Sequence, residues 1–179
     1  MKKHIIFYSV CIVATALCFS HSGFAQDLEP GDVLPEFTPE QRIERLSTNF
    51  TALVFTVIDY AKEQEQSIEE IGGFVGGRFA DSWPDDPTPE YYVAAMNNNW
   101  QMYAVTTEVL EVGDDYVKAS RSRVQFGENL EQAFQNVYGY GIAEFEEFFK
   151  YVEKGIASAL GLELSQRVEG DYVVFTVSH

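Results

Sequence analysis

The sequence predicts an α+β fold: helices packed on a small antiparallel sheet, ending in a long helix and a C-terminal β-hairpin. Three observations predict it. Apolar residues recur at steps of three and four at Ile142, Phe145, Phe148, Phe149, Val152, Ile156, Ala159 and Leu160, which places them on one helical stripe. Glycine follows at Gly161, where a left-handed C-terminal position favours it. Two strand pairs, one mid-chain and one at the end, each surround a Gly/Asp turn, and helices segregate from them along the chain.

The elements follow in order. Lys2 and Lys3 precede an apolar run, Ile5–Phe19, and Gly23-Phe24-Ala25 supplies small residues at a cleavage site, so residues 1–25 read as a secretory signal with a mature start at Gln26. Residues 26–37 hold two prolines and four acids and read as a flexible tether, leaving 38–179 as a single domain. Thr38-Pro39-Glu40-Gln41 is a helix start with a capping residue, a proline at the first turn and a reciprocal glutamine. Its stripe (Ile43, Leu46, Phe50, Leu53, Val54, Val57, Ile58, Ala61) is wide, so this helix is expected to be buried on much of its circumference. Ser67-Ile68-Glu69-Glu70 is a capping box opening a helix that holds Gly72, Gly73, Gly76 and Gly77. Four glycines in a helix each cost about 0.8–1.0 kcal/mol against alanine, so close backbone approach, to a second helix or to a ligand, must compensate. Asp81–Pro89 is a linker, and Thr88 with Pro89 caps a short helix to Asn98 with Tyr91, Tyr92, Ala95 and Met96 inside.

Trp100–Val112 and Tyr116–Val124 read as paired strands. Setting Val112 against Val117 places Glu111 opposite Lys118 and Glu108 opposite Arg121, both favourable charge pairs. Glu128–Tyr138 is a further helix, broken at Gly139-Tyr140-Gly141. In the long helix that follows, Glu144, Glu146, Glu147, Lys150, Glu153 and Lys154 mostly take the outer face. The closing hairpin runs from Leu162–Val168 through Glu169-Gly170-Asp171 to Tyr172–Ser178, whose two parities are both largely apolar, as suits an inner strand covered on both faces.

The run GYGIAEFEEFFKYVEKGIASALGLELSQRVEGDYVVFTV resembles the C-terminal signature of a superfamily that includes the 4-vinyl-reductase-type ligand domain, the haem nitric-oxide-binding domains and the transport-particle (TRAPP) subunits. It is also similar to the bacterial 2-amino-thiazoline-4-carboxylate hydrolase family. The shared features are the helix ending at Gly161, the strand, Gly170-Asp171-Tyr172, and Phe175. The resemblance covers about a quarter of the chain well and the middle by order of elements. It implies a hydrophobic small-molecule or acyl pocket, often in a homodimer. Val173 stands where members often carry a cysteine.

Composition bounds the chemistry. The whole-chain charge is −16, and removing Lys2 and Lys3 with the signal takes it to −18, a field that repels nucleic acid and anionic lipid. Both cysteines, Cys11 and Cys18, lie in the signal, so disulfides, thiolate nucleophiles and cysteine metal sites are excluded from the exported chain. Its one histidine is the terminal His179, which removes Ser-His-Asp machinery, His-rich zinc sites and an ordinary proximal haem ligand; no metal and no cofactor is expected. No stable membrane insertion is expected once the signal is cleaved, and the destination is periplasmic or extracellular.

Catalytic residues cannot be chosen among 28 acids. One constellation stands out in so acidic a chain. Arg121 and Arg123 share a strand parity and project to one face, as a bidentate clamp on a ligand carboxylate or as partners of Glu108 and neighbouring acids. Trp100, Tyr103, Phe145, Phe149 and Tyr172 could wall a pocket beside them, or simply fill the core. Three functions follow: a non-enzymatic binding domain for a small apolar or carboxylate-bearing molecule, a hydrolase similar to the thiazoline-carboxylate family, or a protein–protein interaction module.

Overall fold

Side-chain caps start the first three helices. The computed structural model describes residues 36–179, so the signal, its cleavage at Gln26 and most of the 26–37 tether lie outside the described residues. Helix α1 spans Pro39–Glu63, with Thr38 and Gln41 exchanging backbone bonds of 3.3 and 2.9 Å. Helix α2, Ile68–Ala80, begins with the Ser67–Glu70 box at 3.1 and 2.8 Å. Helix α3 spans Pro89–Trp100 behind the Thr88 cap. Strands β1 (Thr107–Val112) and β2 (Tyr116–Ser122) form the first hairpin. Helices α4 (Glu128–Tyr138) and α5 (Ile142–Ala159) precede the closing hairpin of β3 (Glu163–Glu169) and β4 (Tyr172–Ser178). Among the described residues no helix is long and apolar enough to cross a membrane.

The fold is α+β, with one four-stranded antiparallel sheet in the order β1-β2-β4-β3. The apolar C-terminal strand β4 is an inner strand, as its composition predicts. Val117 and Ala119 of β2 sit beside Val177 and Phe175 of β4, and these four join the helices in one core cluster. Phe55 of α1, Phe134 of α4 and Phe145 of α5 are fully buried at its centre, with ring centroids 5.0 and 6.2 Å from Phe55.

Several expectations are corrected. Trp100 belongs to α3, not to a strand; Gln101–Tyr103 is a 3-10 turn, and the strand starts only at Thr107. The helix expected to end at Asn98 runs on to Trp100, because burial of Val93, Met96 and Trp100 on one face carries it through the asparagines. Ala104, at φ 54°, then turns the chain. Strand β2 likewise ends at Ser122 rather than Val124.

The first hairpin has the expected register near its turn, Val112 against Val117 and Glu111 against Lys118. A bulge at Leu110 then shifts it, so Glu108 faces Ser120, and Arg121 faces Thr107. An inserted residue leaves alternation intact on each side and so is invisible to a pairing argument. Helix α1 is less enclosed than its width suggests: Ile43, Leu46 and Leu53 are exposed. Glu153, expected on the outer face of α5, is buried.

The helical glycines have a structural use. Helix α2 lies directly on α5, and a Cβ on Gly72 would stand 2.7 Å from Tyr151 Cβ and 2.9 Å from the Phe148 carbonyl oxygen. One on Gly76 would overlap the Val152 carbonyl, and one on Gly155 would lie 2.6 Å from the Gly73 carbonyl oxygen. All but the Tyr151 Cβ are backbone atoms, and none of them has a rotamer to yield. Close helix–helix packing therefore offsets the propensity cost. Gly77 is different, because a Cβ there meets nothing within 4 Å.

This contrast yields a matched pair of variants. Gly76→Ala should lower the unfolding free energy by about 1–3 kcal/mol or more through overpacking. Gly77→Ala should raise it by about 0.5–1 kcal/mol through helix propensity. Urea unfolding followed by far-UV circular dichroism measures both, and equal effects would remove the close-packing account.

Candidate functional site

The predicted site residues divide into a buried group and outliers. Trp100 at the end of α3 is buried; its ring centroid lies 5.1 Å from Phe149 and 6.1 Å from Tyr103. Tyr103 stacks edge-on to Phe145 at 5.3 Å and shares a 3.1 Å hydrogen bond with Thr51 Oγ1. Phe145 and Phe149 are 4.8 Å apart on α5. These four aromatics and Arg121 are brought together. Tyr172 is not: it starts β4 opposite Ser122, on the sheet face that Arg121 does not occupy, and is exposed.

Both arginines reach toward α5, as their shared parity predicts, and each meets a carboxylate there. The Arg121 guanidinium lies 4.2 Å above the Trp100 ring and donates to Glu153 at 3.2 Å. Trp100 Nε1 donates to the same carboxylate at 2.6 Å, and the Tyr92 hydroxyl donates to the Glu153 backbone carbonyl at 2.7 Å. Arg123 grips Glu146 through Nε at 3.0 and 3.1 Å and Nη2 at 2.5 Å. That carboxylate raises the Arg123 pKa above its ordinary value, chiefly by hydrogen bonding and then by its charge. The partners are thus the acids of α5, not Glu108.

Sequence reasoning missed Glu153, Glu146 and Tyr92 as members of this group. A signal was present for the first two. Glu146 and Glu153 are seven residues apart, two turns on one flank of α5, and Glu153 falls between Phe149 and Ile156 of the apolar stripe. A carboxylate that close to the stripe needs a partner, and Arg121 was the cation nearest in kind.

The chemistry open to this group is limited. The Arg121–Glu153 pair is only 8% exposed on each side chain, and its donors and acceptors are satisfied within the fold. Space beside it is about 10 Å³, room for about one water. The Arg121–Glu153 pair is therefore packed shut against Trp100, and this brace ties α3, β2 and α5 together.

An open groove adjoins it. Between α3 and the first hairpin lies a depression of about 220 Å³, walled by Val93, Ala94, Val109, Val112 and Val117. Glu90 stands on its rim, and Asn97 and Thr107 separate it from Trp100 and Arg121. Glu90 is held below the ordinary carboxylate range by backbone hydrogen bonding at the α3 start and then by the Thr88 hydroxyl, so the rim is anionic at neutral pH. Among the described residues no group of three or more His, Cys, Asp or Glu side chains is gathered as a metal site. No known protein-family model matches the chain, and no curated protein is significantly similar to it.

Two tests follow from the brace. Arg121→Met should destabilise the fold by about 3–5 kcal/mol, because it strands the Glu153 charge. Glu153→Gln keeps an acceptor for Trp100, so the double variant should recover part of that loss, with a coupling of about 0.5–3 kcal/mol. Chemical unfolding of the four chains measures the cycle, and strict additivity would deny the pairing.

The tyrosines give a pH test. Burial raises the Tyr92 pKa and pushes Tyr103 up to about 12, against 10.0 ordinarily. The folded chain then keeps protons that the unfolded chain releases. Their contribution to stability is full below about pH 10 and is lost as pH rises through the folded values. Unfolding midpoints should fall steeply above pH 10, and Tyr103→Phe should flatten that fall.

Proposed function

We propose that this chain is an exported, non-enzymatic binding domain that takes a small, neutral, apolar molecule in the groove between α3 and the first hairpin. The groove carries the reading: five apolar side chains meet there beside an anionic Glu90 rim. Apolar walls with few polar groups are the usual form of a small-molecule site, although sites for larger ligands run to about 300–1,000 Å³. The ligand is therefore compact or only partly enclosed. Arg121 and Arg123 spend their charge on Glu153 and Glu146, so an apolar molecule fits this surface better than a carboxylate. The exposed valines of β1, at 54% and 59% for Val109 and Val112, would be covered on binding, which supplies the driving force.

The interaction-module reading is favoured by a separate observation, the exposed apolar row of α1 at Ile43, Leu46 and Leu53.

Nile red, a neutral apolar dye, tests the groove. Its fluorescence should rise with the wild-type chain. Ala94→Trp, which fills the groove from the exposed side of α3, should weaken dye binding about tenfold or more with the unfolding midpoint unchanged. Undiminished binding to the Ala94→Trp chain would end the proposal.

A further inference from the structure

We propose that α1 is a contact face between two copies of this chain, joined as an antiparallel helix pair about a two-fold axis. The helix buries Thr51, Val54, Phe55, Ile58 and Ala61 in its own core. A second apolar row runs beside that face: Ile43, Leu46, Phe50, Leu53, Val57 and Tyr60. Phe50 and Val57 root it in the core, while Ile43, Leu46, Leu53 and Tyr60 are 58%, 62%, 57% and 50% exposed. At a rise of 1.5 Å per residue the row is about 25 Å long.

The spacing identifies the occupant as a helix. Steps alternate three, four, three, four, three, the seven-residue repeat that suits the seam of a left-handed helix pair. The net charge of −16 opposes an anionic membrane as the occupant.

The row is complementary to itself. Turning a second copy end over end about the point midway between Phe50 and Leu53 sets Ile43 against Tyr60, Leu46 against Val57, and Phe50 against Leu53. Every layer is then apolar on both sides, and the two-fold axis repeats each contact. The same turn carries Arg42, on the border of the row, toward Glu63 of the second copy, and Asn49 toward its Thr56. The charges are opposite at both ends. A parallel pairing sets Arg42 beside Ser47 and gains no charge pair. Arg42 is available for the exchange through Nη2: that atom's present bond to Glu36 is 3.4 Å long between two exposed side chains, while Nε donates to the Phe37 carbonyl at 3.1 Å. None of the six row residues lines the α3 groove, so this proposal and the binding proposal fail separately.

Sedimentation equilibrium of the purified full chain at micromolar concentration tests it. The wild type should sediment as a dimer. Leu46→Glu with Leu53→Glu should sediment as a monomer, with circular dichroism and unfolding midpoint retained because both positions are exposed. Glu63→Arg should weaken association about three- to tenfold, since the axis makes the pair twice, and adding Arg42→Glu should restore it. A wild-type monomer, a dimer that survives both glutamates, or an unlike protein seated on the row would overturn the proposal. Failure of the reversed charges to restore association would overturn the antiparallel arrangement.

Discussion

The structure depends on one carboxylate in the wrong medium. Glu153 is only 6% exposed, and a charge removed from water is costly unless nearly every lone pair is occupied. Its side chain takes donors from Trp100 and Arg121, and its backbone carbonyl takes the Tyr92 hydroxyl. One turn of α5 thereby sets the position of α3 at two points and of β2 at a third. The groove walls are carried by α3 and the first hairpin, so the shape of the groove follows from how that carboxylate is satisfied.

The other side of α5 is organised by an absence of side chains. Gly72, Gly76 and Gly155 let the backbones of α2 and α5 meet with nothing between them. The aromatic side chains are gathered elsewhere, where α1, α4 and α5 converge around Phe55, Phe134 and Phe145. Helix α5 thus serves four neighbours by three means: backbone contact to α2, a charged brace to α3 and β2, and ring packing to α1.

Much of this was legible in the sequence because it is local or periodic. The caps at Thr38, Ser67 and Thr88, the stop at Gly161 and the turn at Gly170 depend on residues a few positions apart. The placement of β4 inside the sheet followed from two apolar parities. What escaped was set by distant partners. Trp100 continues a helix because the core receives it, Glu153 turns inward because Trp100 and Arg121 meet it, and the Leu110 bulge leaves no mark on alternation. Of the candidate site, Trp100, Tyr103, Arg121, Phe145 and Phe149 do assemble, but as packing. The groove is made by Val93, Ala94, Val109, Val112 and Val117, and five small apolar residues give no sign in a sequence.

The Leu110 bulge has a bearing on how crowded the protein can become. Strand β1 is an outer strand, and Val109, Leu110 and Val112 on it are exposed. A straight strand of that composition is a template on which a neighbouring molecule's strand could add, and then another, toward a fibre. The extra residue breaks the even spacing of free amide and carbonyl groups along that rim, and Glu108 and Glu111 set like charges on any strand that approaches in the same way. The rim can therefore keep its valines bare while refusing to polymerise.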